Sequence, residues 1–145
     1  AGGRDVAATL LTMGQAQDHE AALLAPVAHA MTDVTGFGLA GHVHAMCQAS
    51  KLDAYLFHDA IPTYPGARVL SDAGVSSTLM PANYLDTPVV GPHDALLFDP
   101  QTAGGLLAAV PETLSTNVSQ ALIAQGFTGQ IIGRLSKGTG RLFLT

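Results

Sequence analysis

Apolar positions along this chain alternate between helical and extended spacing. Val6, Leu10, Leu11 and Met13 predict a short helix ending near Gly14, and Ala21 to Leu24 predict a second, stopped by Pro26. From Phe37, positions Leu39, Val43, Met46 and Ser50 share one side of a longer helix. Ala40 and Cys47 lie on its flank, while His44 and Gln48 face away. Leu52 to His58 alternates as a strand does, with Tyr55 and Phe57 set against Ala54 and Leu56. Ile61 to Pro65 turns the chain, and Gly66 to Ala73 reads as a short helix closed by Gly74. Ser76 to Pro92 has little periodicity and reads as a long loop holding a short strand near Val89 and Val90.

Ala95 to Phe98 and Leu106 to Val110 predict strands on either side of an Asp99-to-Gly105 connection. Pro111 opens a helix that runs through Ala124 to Gly126, and its stripe of Leu114, Val118, Leu122 and Ile123 reads as core. Gly129 to Leu135 and Arg141 to Leu144 are the last two strands, with Lys137-Gly138-Thr139-Gly140 a hairpin signal between them. Ala1 to Arg4 are too small and polar to bury anything and read as a linker. Strands interleaved with helices predict an α/β (α+β) layered sandwich, a mixed sheet flanked by helices.

Composition narrows the partners. The 145 residues amount to one domain, 48% hydrophobic and only 12% charged, against a usual charged share of about 25%. So little charge fits a surface hidden against another chain or domain, and it equally fits an alanine-rich, weakly charged soluble protein. The net charge of −5, with six Lys plus Arg and no basic run, argues against nucleic acid. No apolar stretch approaches the ~20 residues of a membrane span, and no leader signal is visible. A single cysteine, Cys47, excludes an internal disulfide and fits the cytoplasm.

Candidate chemistry concentrates between His29 and His42. Thr32, Asp33 and Thr35 precede a turn punctuated by Gly36 and Gly38, which runs into the long helix. Either Asp33 or Thr35 is an ordinary helix cap, or the turn presents N–H groups to a phosphate while Asp33 holds Mg²⁺ through oxygen. Spacing alone leaves both readings open.

The literal strings carry more. Thr32-Asp33-Val34-Thr35-Gly36-Phe37-Gly38-Leu39 with Gly41-His42 resembles the start of the C-terminal domain of selenophosphate synthetases (selenide, water dikinases). Phe98-Asp99-Pro100-Gln101-Thr102-Ala103-Gly104-Gly105-Leu106-Leu107 is similar to that family's DPQTSGGLL segment, with Ala103 where Ser is usual. Ile131-Ile132-Gly133-Arg134-Leu135 resembles its final strand. The first string separates this family from relatives of the same architecture, the aminoimidazole ribonucleotide synthetases, thiamine-monophosphate kinases and hydrogenase maturation dehydratases.

The resemblance implies an α/β sandwich with partial ferredoxin-like character over residues 27–145, preceded by a linker and helical segment over 1–26. It implies that Asp33 helps bind Mg²⁺ at the phosphates of ATP, with Thr32, Thr35, Gly36 and Gly38 shaping or contacting that site. The reaction implied takes ATP, selenide and water to selenophosphate, AMP and orthophosphate. The ATP-binding aspartates and the reactive Cys or selenocysteine with its Lys are expected in an N-terminal domain outside this chain. The chain alone is therefore expected to be inactive, and the intact enzyme a homodimer. Another ATP-using member of the superfamily and a non-enzymatic docking module are the alternatives.

The other reactive residues read as structural. Asp99 with Gly104-Gly105 is good turn chemistry, and Cys47 at helical core spacing reads as a small buried hydrophobe. His42 and His44, two apart on a helix, point to different faces. His19, His29, His58 and His93 are scattered without zinc-like spacing. Asn83, in the long loop, is a weak candidate for ligand contact.

Overall fold

The core forms where the long helix lies on the sheet. In this computed structural model, which describes residues 2–145, helix α3 (Gly38–Ser50) buries Ala40, Val43 and Cys47 against strand β2 (Leu52–Leu56). That i, i+3, i+7 stripe centres on Ala40 and Cys47, which the sequence pattern put on the flank, and Ser50 is exposed. Small side chains at the contact let helix and sheet approach closely, and the apolar weight comes from the facing side. Ala54 and Leu56 of β2, Leu142 and Leu144 of strand β6 (Leu142–Leu144), and Leu97 and Phe98 supply it.

The four-stranded sheet has the order β3-β6-β2-β5, with β3 at Val89–Val90 and β5 at Gly133–Lys137. Strand β2 runs antiparallel to β5 and parallel to β6, and β6 runs parallel to β3, so the sheet is mixed as expected. The hairpin expected around Lys137 to Gly140 does not form, because β2 lies between β5 and β6. Asp53 is the physical reason. Its buried carboxylate accepts the Thr139 N–H at 2.8 Å and the Arg141 N–H at 2.9 Å, with the Arg141 guanidinium at 3.4 Å. The connection is thus pinned across the end of β2, and a Cβ at Gly138 would collide with the Asp53 carboxylate.

A second, two-stranded sheet pairs β1 (Ala30–Asp33) antiparallel with β4 (Leu106–Ala109), placing Asp33 opposite Leu106. Helix α2 (Asp18–Leu24) covers it through the buried Leu24. Helix α6 (Glu112–Ala124) has α2 as its main neighbour and contributes no buried residue, so its stripe is not core. Leu114 and Val118 instead border a shallow hollow of about 240 Å³ with Leu23 and Val27. Helix α1 (Gly3–Met13) starts inside the expected linker, whose Ala1 lies outside the described residues, and none of its side chains is buried.

Two further expectations change. The long loop contains helix α5 (Met80–Asp86), with Pro81 in its first turn. Ala95–Phe98 is a 3₁₀ turn, not a strand, because the Asp94 carboxylate caps it by accepting the Leu96 N–H at 3.0 Å. Asp94 is buried and also meets His58 Nε2 at 2.9 Å and Arg68, on helix α4 (Ala67–Asp72), at 2.7 Å. Among the described residues no helix is long and apolar enough to cross a membrane.

Both buried carboxyls sit below their ordinary value. For Asp53 the Arg141 and Thr139 N–H bonds outweigh burial. For Asp94 burial raises the value most, but the bonds from Arg68, the Leu96 N–H and His58, with the Arg68 charge, together outweigh it. The stability they supply is therefore complete above the unfolded-chain value of 3.8 and is lost as pH falls through the lower folded-state values. Thermal melts from about pH 6 down to about pH 2 test this. The melting temperature should fall at the acid end, and Asp53→Asn should lower it at neutral pH and flatten part of the slope.

Candidate functional site

Strand β1 ends at Asp33, and the next residue fixes everything that follows. Val34, buried, donates its N–H to Gly105 O at 3.0 Å and accepts the Gly104 N–H at 3.0 Å. The two sequence blocks, read separately as two loops, therefore form one structure. The Thr35 carbonyl extends the splice, accepting the N–H of Gln101 at 3.1 Å and of Gly38 at 3.0 Å. Gln17, from the residue before α2, donates its side-chain amide to Gly104 O.

The glycines have distinct duties. Gly38 has φ +70°, and a Cβ there would sit 2.7 Å from Leu97 O, so only glycine lets α3 start against the 3₁₀ turn. Gly104 leaves no space for a Cβ against Val34 O. Gly36 has open space around it.

Capping is excluded as the role of the acid. The residue before α3 is Phe37, and no side chain caps the helix. The Thr35 hydroxyl lies 3.2 Å from His42 Nε2, which accepts the Thr35 N–H at 3.0 Å. The neutral ring therefore carries its proton on Nδ1. His42 locks the turn, in line with its structural reading, and its ring also meets the exposed Phe37 edge to face at 5.7 Å. Asp33 is exposed, and among the described residues nothing donates to its carboxylate. The Thr32 hydroxyl bonds the Asp33 carbonyl at 3.1 Å. The turn thus gathers Thr32, Asp33, Thr35, Gly36 and Gly38 around an uncapped helix start.

Among the described residues no three His, Cys, Asp or Glu side chains converge to hold a metal. Mg²⁺ takes six oxygens, often including water and phosphate. Asp33 therefore suits one position of a shared Mg²⁺ shell and cannot form a complete site. Cys47 is 1% exposed and burial pushes its thiol up, so it is inert. Asp99 is half-buried. Burial raises its carboxyl, opposed by the bond from the Gln101 side chain at 3.1 Å, which ties the turn.

Two side chains in this site were missed as supports. Gln101 lies within the second block, and Gln17 gave no local signal because its partner is 87 positions away. Asn83, considered for ligand contact, instead donates from Nδ2 to Gly36 O and to Phe98 O, each at 2.9 Å.

Residues 3–144 match the family described as AIR synthase related protein, C-terminal domain. The chain is 38% identical over 116 residues to the selenide, water dikinase of Cronobacter sakazakii, covering 77% of this chain and 33% of that protein. It is 33% identical over 125 residues to that of Pseudomonas straminea (80% and 35%), and 40% identical over 116 residues to that of a Shewanella species (77% and 33%). The chain spans about a third of the length of these curated relatives. The solved structure of Escherichia coli HypE, a hydrogenase maturation protein, has the same fold. Its TM-score is 0.64 over 90% of this chain and 37% of that one, at 21% identity.

The glycine geometry makes opposite predictions for two neighbours. Gly38→Ala should destabilise the chain by at least about 2 kcal/mol in denaturant titrations. Gly36→Ala should stay within about 0.5 kcal/mol of the parent.

Proposed function

Since the chain belongs to the AIR synthase related protein, C-terminal domain family, we propose that it is the C-terminal part of a selenide, water dikinase, which converts selenide, ATP and water to selenophosphate, AMP and orthophosphate. The observation that carries this reading is the Asp33 carboxylate, exposed and without a donor beside the uncapped start of α3. In this reading Asp33 is one Mg²⁺ ligand at the phosphates of ATP. Thr35 offers its hydroxyl, Thr32 and Gly36 shape the turn, and Gly38 brings the helix start to the phosphates. The bound Mg²⁺ supplies neutralisation of phosphate charge.

The remaining parts come from an N-terminal domain. These are the other metal-binding aspartates and the reactive Cys or selenocysteine with its Lys. Residues 27–145 are the C-terminal domain and 1–26 the segment leading into it. The chain alone is inactive, and the intact enzyme is a cytoplasmic homodimer whose partners are ATP and selenide.

Asp33→Asn tests the assignment because it removes a charge at an exposed position while keeping the side chain's shape. Calorimetric titration with ATP and Mg²⁺ is run on the chain alone and on its mixture with the N-terminal half of a selenide, water dikinase. Binding and ATP turnover should appear only in the mixture, and Asp33→Asn should weaken Mg²⁺-dependent ATP binding at least about tenfold. Undiminished binding and turnover by the Asp33→Asn mixture would overturn the metal role.

A further inference from the structure

Asn83 belongs to neither sequence block, yet it touches both. Its Nδ2 gives one hydrogen to Gly36 O and the other to Phe98 O, the carbonyl of the first residue of the second block. Both partners are carbonyl oxygens, so the nitrogen, and not the oxygen, of the amide faces them.

The consequence runs through the peptide plane. In a trans peptide the carbonyl and the following N–H point in opposite directions. Holding the Gly36 carbonyl toward α5 and the 3₁₀ turn therefore turns the Phe37 N–H to the opposite, exposed side. The preceding peptide is fixed in the same way. The Thr35 carbonyl is held inward by the N–H groups of Gln101 and Gly38, which turns the Gly36 N–H outward. Among the described residues neither the Gly36 nor the Phe37 N–H has an acceptor, and both residues are exposed. Successive N–H groups without acceptors in a turn suit an anion.

We propose that Asn83 is a positioning residue for phosphate recognition: by holding the Gly36 carbonyl it aims the Phe37 N–H, beside that of Gly36, at a phosphoryl oxygen. This rests on the reading of the Asp33 turn as a phosphate and metal site. Helix α5 is held there by Met80, packed against the core, and by Tyr84, edge to face with Phe98 at 5.0 Å. Its Asn83 amide donates to the Gly36 carbonyl, which leads directly into the first turn of α3.

The test uses the ¹⁵N-labelled chain mixed with the unlabelled N-terminal half of a selenide, water dikinase, titrated with Mg²⁺ and inorganic tripolyphosphate while the Gly36 and Phe37 amide signals are followed. Asn83→Leu removes both donors while keeping the branched shape and adding no charge, and Asn83→Gln restores an amide. In the parent chain both signals should move saturably. Asn83→Leu should bind at least about fivefold more weakly, and Asn83→Gln should recover part of the loss. Broadening of the Asp33 amide by Mn²⁺ alone should be equal in all three, which general loosening of the turn would not leave intact. Should Asn83→Leu lose the native Leu142 and Leu144 signals, Asn83→Ser makes the same comparison. Equal tripolyphosphate affinity in a folded variant lacking the amide overturns the positioning role. Unresponsive Gly36 and Phe37 signals in the parent chain overturn the phosphate reading itself, and this inference with it.

Discussion

Two main-chain hydrogen bonds between Val34 and the Gly104-Gly105 pair hold the site region together. They continue the β1–β4 pairing one step beyond the strands, into segments about seventy residues apart in the chain. The approach is possible only because Gly104 has no Cβ to meet the Val34 carbonyl. Each bond contributes only about 1 kcal/mol net, so the splice depends on its surroundings. Val34 is buried, Gln17 holds the Gly104 carbonyl from the α2 side, and Gln101 carries the pairing on to Thr35. Loosening any of these frees the peptide groups that Asp33 and the start of α3 depend on.

The carboxylates separate by their partners. Asp53 and Asp94 are buried and surrounded by donors, and each fixes a chain path: the crossing over β2 in one case, the 3₁₀ turn in the other. A buried acid needs such donors, since an unpaired charge in the interior is far costlier than the bonds that satisfy it. Asp33 is the reverse case, exposed and without donors at the end of a strand. It does no structural work that Asn could not do, and this distinguishes it from the acids the fold requires.

Much of the fold was legible because local pattern and final packing agree. The helices at α1 to α4 and α6 and the strands at β1's partner β4 and at β2 follow from apolar spacing, Pro26, Pro111 and the closing glycines. Helix α5 was hidden because its larger apolar residues, Tyr84 and Leu85, are exposed and so leave no inward stripe, although Pro81 was a usable start signal. Ala95 to Phe98 is an apolar run too short to distinguish strand from turn, and the deciding contact came from Asp94 just before it. The hairpin failed because insertion of β2 between β5 and β6 is a long-range event decided by Asp53, whose partners lie 86 and 88 positions away. The site divides likewise. The residues of the turn carried their own signal, whereas the supports from Gln17 and Asn83 are long-range contacts that no local pattern encodes.

The lone carboxylate at this turn also has a consequence for how the proposed enzyme would assemble its centre. Several acids gathered in one domain would repel one another before any metal arrived, and folding would have to bear that cost. With one acid at this turn the chain bears no such repulsion, since among the described residues no three His, Cys, Asp or Glu side chains converge. In the proposed enzyme the remaining ligands would meet Asp33 only when the two domains and the nucleotide's phosphates come together. Cation binding, domain closure and phosphate recognition would then form one coupled equilibrium, because each would supply charge or donors that the others need. The stiffness of the Val34 splice matters most at that step. A turn already held in place loses less freedom when it receives a phosphate, so more of the binding energy remains for closing the site.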